Sequence, residues 1–94
     1  MTYVLVIHTV EDYAKWKIVF DEHGTIRKAK GSKGASILSN TTVPDQIVII
    51  TEWEDMEAAK NFAEAEDLKI AMQKAGVVGI PAVYYLEEIE RTQY

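Results

Sequence analysis

Two patterns in the 94-residue sequence predict an α+β domain: a four-stranded antiparallel sheet with its helices on one face. The first is the order of periodicities, two strand–helix–strand units read as β, α, β, β, α, β. The second is a strand that runs straight into a long amphipathic helix over residues 46–77, QIVIITEWEDMEAAKNFAEAEDLKIAMQKAGV. Ile47, Val48, Ile49 and Ile50 are β-branched neighbours, so both faces of that strand meet apolar material. Asp55 is placed to cap the helix, and Glu57 puts negative charge in its first turn. Ala58, Ala59, Phe62, Ala65, Leu68, Met72 and Ala75 form one stripe at helical spacing, and Gly76 suits the C-terminal stop. A break is expected at residues 65–67, where the acidic run EAED begins a second helical segment.

The rest of the chain follows in order. Residues 3–9, YVLVIHT, alternate as a strand, with Tyr3, Leu5 and Ile7 on one face and Val4, Val6 and His8 on the other. Residues 10–23 read as a helix with Thr9 at its N-cap and Glu11 and Asp12 in its first turn. Tyr13, Trp16, Phe20 and His23 fall at i, i+3, i+7 and i+10, one stripe along that helix. Gly24 ends it, or residues 25–30 continue or restart it. Residues 27–34, RKAKGSKG, hold four cations. They read as a solvated helix end in preference to an anchor for an anionic ligand, because cations complement the helix C-terminus and surface charge is common. GSKG lacks the glycine spacing and context of a phosphate loop. Residues 35–40 form a shorter strand, turned back by TTVPD at residues 41–45. Residues 80–89 supply the last strand, with Pro81 near its start. The ERTQY tail is polar and frayed.

This order with right-handed crossovers gives a ferredoxin-like βαββαβ fold in which both helices cover one sheet face. The other face is then bare. A contiguous apolar face of about several hundred Å² is unusual on a monomer, and a symmetric homodimer with sheets face to face covers it, the arrangement of a dimeric α/β barrel.

Composition bounds the rest. The length leaves room for one core, so residues 1–94 read as a single domain, and an apolar content of 48% suffices to fill it. A net charge of −5 argues against nucleic acid and anionic membranes as partners. With no cysteine, disulfides, thiol catalysis and cysteine-ligated metal are excluded. MTYVLVIHTV lacks the marks of a signal peptide, and no apolar run approaches the roughly 20 residues of a membrane span. The expectation is a cytoplasmic domain.

His8 and His23 are the two histidines. His23 continues the aromatic stripe of its helix, so it is the candidate catalytic base toward an acidic phenol or enol. His8, at a strand end, reads as a structural histidine. Asp21, Glu22 and His23 are consecutive and do not converge on a helix. The two histidines lack the spacing of a zinc helix, and no metal is expected. Ser32, Ser36 and Ser39 sit in no nucleophile elbow. Glu52 and Glu54 flank Trp53 and do not form a paired-carboxylate site. Tyr13, Trp16, Phe20, Trp53 and Tyr84 are the candidate walls of a pocket for a flat apolar ligand, and Phe62 is expected in the core.

The helix VEDYAKWKIVFDEH, the passage VIITEWEDMEAAKNFAEAEDLKIAMQKAGV and the closing strand AVYYLEEIE resemble the antibiotic-biosynthesis-monooxygenase-like branch of the dimeric α/β-barrel superfamily, including its cyclase-type members. The resemblance covers nearly the whole chain, and W-E-x-x-E-A-A-x-x-F marks the hand-over from strand to second helix. It implies a homodimer and a ligand cavity in each subunit between helices and sheet. It also implies oxygenation of an activated aromatic without a cofactor, the substrate carbanion reducing O₂ directly, or cyclisation. Haem-degrading relatives need a histidine on the second helix; residues 55–75 have none. Two readings stand side by side: a cofactor-free oxygenase or cyclase with His23 as base, and a non-catalytic binder of a small hydrophobic or aromatic molecule.

Overall fold

The strands come from β-branched alternation and the helices from apolar stripes. The computed structural model, which describes residues 1–94, arranges them as β1 (Thr2–Val10), α1 (Tyr13–Glu22), α2 (Gly24–Ala29), β2 (Ser32–Ser39), β3 (Gln46–Trp53), α3 (Met56–Ala63), α4 (Glu66–Ala75) and β4 (Val77–Glu87). The sheet order is β2-β3-β1-β4, every pair antiparallel. This is the ferredoxin-like α+β fold predicted, with each helix divided in two. His23 divides the first, and the extended backbone of Ala65 (φ −72°, ψ 142°) divides the second at the expected break.

Local signals set several boundaries. The Asp55 carboxylate accepts from the Ala58 amide at 2.8 Å and caps α3. Gly76 ends α4 in the left-handed conformation (φ 82°, ψ 33°). A side chain there would also meet Glu11 Oε1 at 3.0 Å.

Other boundaries depend on partners distant in sequence. Thr9 does not cap α1. Val10 pairs with Val77 and its amide donates to the Asp45 carbonyl at 3.0 Å, so β1 runs on past Thr9. The cap is Asp12, whose carboxylate accepts from Ala14. β4 begins at Val77, three residues before the expected start, because the turn at Gly76 delivers the chain straight onto Val10. Pro81 therefore lies inside the strand. The site tolerates it because β4 is an edge strand and the β1–β4 register shifts between Ile7 and Thr9. Ile80, in that irregular stretch, is 97% exposed. Past β4 the tail is tied at its start: the Glu88 amide donates to the Met1 carbonyl, and Tyr3 and Arg91 both donate to Glu88 Oε1.

Alternation along β1 and β3 divides the molecule. Val4, Val6, Val10, Ile47, Ile49 and Trp53 turn toward the helices and pack with Trp16, Ala59, Phe62 and Ala75 as the core. Tyr3, Leu5, Ile7, Val48 and Ile50 turn to the opposite face, joined there by their pairing partners Leu86, Tyr84, Ala82, Leu38 and Ser36. No element of the chain covers this second face, and Leu38, Tyr84 and Leu86 stand exposed on it.

Candidate functional site

A cavity of about 60 Å³ lies between the helices and the sheet. Val6, His8, Ile49 and Thr51 form its sheet wall, Trp16, Val19, Phe20, His23 and Arg27 one helical wall, and Phe62, Leu68, Ala71, Met72 and Ala75 the other. Its sheet wall is buried throughout, whereas Phe20, Arg27, Leu68 and Met72 on the helical walls are half-buried.

Rings line one side in sequence. Phe20 stacks on Trp16 with centroids 5.0 Å apart and planes at 24°. Trp16 meets His8 edge-on at 5.7 Å and 73°. Across the cavity, His23 lies 6.0 Å from Phe62, which rests on Trp53 at 4.8 Å.

The two histidines set in this apolar wall have buried nitrogens without partners. His8 is only 6% exposed, and neither of its ring nitrogens has a hydrogen-bond partner. Nε2 of His23 is likewise buried and unpartnered. Leaving such a group unpaired costs about 1–3 kcal/mol, a cost that a ligand bearing complementary groups removes. Burial holds both imidazoles below the ordinary histidine pKa. For His23, Asp67 opposes that shift, while Arg27 and Lys30 add to it. His23 sits at the junction of α1 and α2. The negative end of one helix dipole and the positive end of the other therefore both face it, and burial decides its charge.

Arg27 projects into this site. Its guanidinium carbon lies 3.7 Å from the centre of the Phe20 ring, and Nη1 donates to the Phe20 carbonyl at 2.9 Å. The basic run is thus dispersed: Lys30 pairs with Asp67 at 3.7 Å, Lys33 pairs with Glu54 at 3.2 Å, and Arg27 turns inward.

Of the candidate site residues, Trp16, Phe20 and His23 line the cavity. Tyr13 does not; it is 46% exposed and leans on Trp16 from outside at 5.7 Å. Trp53 does not either. It is wholly buried beneath Phe62, its indole N–H donating to Thr51 Oγ1 at 2.7 Å. Tyr84 is on the other side of the sheet, because its pairing with Leu5 places it on the bare face, 52% exposed. His8 and Arg27 enter the site unanticipated. The signal for His8 was the period of β1, which groups it with Val4 and Val6. Arg27 falls four residues after His23 and seven after Phe20, a helical spacing that α1 and α2 together nearly preserve. No three His, Asp or Glu side chains gather as a metal site, and no helix is long and apolar enough to cross a membrane.

The family model for antibiotic biosynthesis monooxygenases matches residues 13–74, well over half the chain. The chain belongs to the antibiotic biosynthesis monooxygenase family. No curated protein matches it in sequence. Solved structures share the family fold at low identity. A Bordetella bronchiseptica protein bearing the antibiotic biosynthesis monooxygenase designation superposes with a TM-score of 0.79 at 13% identity, over 95% of this chain and 97% of that one. SnoaB of Streptomyces nogalater, a cofactor-independent oxygenase, gives 0.69 at 15%, over 98% and 94%. Rv0793 of Mycobacterium tuberculosis gives 0.68 at 9%, over 99% and 100%. At these identities the likeness is one of fold. In the family fold of this chain, the cavity-lining residues come from β1, β3 and all four helices.

Proposed function

We propose that this chain is a cytoplasmic, homodimeric, cofactor-independent oxygenase or cyclase acting on a small aromatic molecule, with His23 as the general base. One observation carries the reading: the His23 imidazole, with a free, buried nitrogen, faces an aromatic-lined cavity, and burial there favours its neutral form. A neutral imidazole near pH 7 accepts a proton from an acidic phenol or an activated ring methylene. The resulting carbanion is itself the reductant. In oxygenation a ring methylene becomes a carbonyl, one oxygen atom of O₂ staying on carbon and the other leaving as water. Trp16 and Phe20 supply flat apolar walls. Membership of the family, and the fold shared with SnoaB, support this chemistry.

The cavity volume of about 60 Å³ is less than the roughly 150 Å³ that accepts benzene. A ring therefore enters as Leu68 and Met72, both half-buried on the wall opposite Trp16 and Phe20, swing aside, a movement suited to the flexible thioether of Met72. The homodimer is part of the same reading, supported by the uncovered apolar sheet face.

The test is oxygen uptake by the protein, free of flavin, haem and added metal, with a phenolic ring ketone bearing an activated methylene. Uptake that His23→Ala abolishes, with the melting temperature preserved, is the expected result. A second reading, a non-catalytic binder with the same cavity, is favoured by the lack of any side-chain partner that would orient the His23 ring as a base. Saturable binding of the ring ketone without oxygen uptake or cyclised product would establish that reading instead.

A further inference from the structure

We propose that this cavity selects aromatic ligands carrying an anionic oxygen, with Arg27 as the counter-charge and His8 as the buried hydrogen-bond partner; this rests on the cavity being the ligand site. The polar side chains lining it are Arg27, His8, His23 and Thr51, and no carboxylate is among them. Arg27 takes part in no salt bridge, and its one hydrogen bond spends a single donor on the Phe20 carbonyl. A guanidinium has five donors, arranged as a fork that matches two oxygens. Asp21, the acid whose field reaches Arg27, is already held by Lys17, with Nζ 2.6 Å from each carboxylate oxygen. Asp67, near His23, is paired with Lys30. Half-burying a cation without an acidic partner is unfavourable unless a ligand brings the anion.

The rings give the ligand its shape. The guanidinium lies over Phe20, Phe20 stacks on Trp16, and Trp16 touches His8. The row runs from the half-buried cation to an unpartnered imidazole at the sheet, so a ligand lying on it meets a positive charge at one end and a neutral hydrogen-bonding group at the other. Neutral His8 offers one donor and one acceptor, so it hydrogen-bonds a ligand oxygen without needing a charge of its own. The shared ligand chemistry is an aromatic ring with a carboxylate or phenolate oxygen.

Calorimetric titration with benzoate, 4-nitrophenolate, benzamide and nitrobenzene tests this at about pH 8, where both imidazoles are neutral. Benzoate or 4-nitrophenolate should bind about ten-fold tighter than its neutral counterpart, benzamide or nitrobenzene respectively, and whichever does names the source of the anionic oxygen. Arg27→Met should erase that preference while leaving the neutral ligand within about two-fold of wild type. His8→Phe, which keeps a ring against Trp16, should weaken 4-nitrophenolate, whose nitro group lies across the ring from its anionic oxygen, and leave benzoate, which has no second polar group, unchanged. If Arg27→Met fails to fold, Arg27→Gln decides: it keeps a polar end but removes the charge, and should erase the preference for either anion. Equal affinity for anionic and neutral members of each pair, or a preference untouched by Arg27 substitution, would overturn the anion proposal and leave the cavity as a ligand site. Binding of none of the four would overturn both.

Discussion

Trp53 and Thr51, two residues apart on the helix-facing side of β3, are joined by a hydrogen bond from the indole N–H to Thr51 Oγ1 at 2.7 Å. The bond lets a tryptophan side chain be wholly buried with its one polar atom satisfied. Thr51→Val keeps the shape and removes the acceptor, and should cost about 1–3 kcal/mol. Urea denaturation would register it as a lower midpoint at unchanged slope; an unchanged midpoint would mean that the indole finds another acceptor.

Phe62 is 5% exposed and packs between Trp53 and His23. Phe62→Ala should destabilise the fold by about 3–5 kcal/mol. A loss below about 1 kcal/mol would show that neighbouring groups collapse into the space.

Asp55→Ala removes the carboxylate that accepts from Ala58 at the start of α3. The expected loss is about 0.5–2 kcal/mol. Asp55→Asn should recover most of it, since an amide oxygen accepts the same bond.

Stability should fall on mild acidification. His8 and His23 both have pKa values lowered by burial, so the unfolded chain binds their protons more readily than the folded one. Their contribution is complete above the unfolded value of about 6.5 and is lost as pH falls through it toward the folded values. Unfolding free energies measured from neutral pH down to about pH 5 should decline, and His8→Phe should flatten part of the slope. A flat profile in the wild-type protein would show that the imidazoles are solvated.

The proposed dimer gives a sedimentation test. At micromolar concentration the protein should run at roughly twice its chain mass. Ile50→Lys, a charge placed on the uncovered sheet face, should yield a folded monomer with an unchanged far-ultraviolet spectrum. A wild-type monomer across dilution would remove the barrel arrangement.

Much of the fold could be read from periodicity because periodicity is a local property. The alternation of β1 and β3, the stripe through Phe62, Leu68 and Met72, the Asp55 cap and the Gly76 stop all depend on residues a few positions apart. Where distant segments compete, local signals lost. Thr9 has cap chemistry, yet Val10 pairs with Val77 and keeps it in a strand. Tyr84 and Tyr85 are neighbours with the same chemistry; the register against Leu5 and Val4 sends one to the bare face and the other to the helix side. The candidate site was legible only along α1, where Trp16, Phe20 and His23 share a stripe. His8 looked like a structural histidine, and Arg27 looked like one cation in a solvated run. Only tertiary packing left His8 beside a void instead of a partner, and laid Arg27 over Phe20. The sequence by itself determined which side chains share a face of their own element. The cavity is the mismatch between faces contributed by β1, β3 and helices far apart in the chain, so only the assembled structure could decide what lines it.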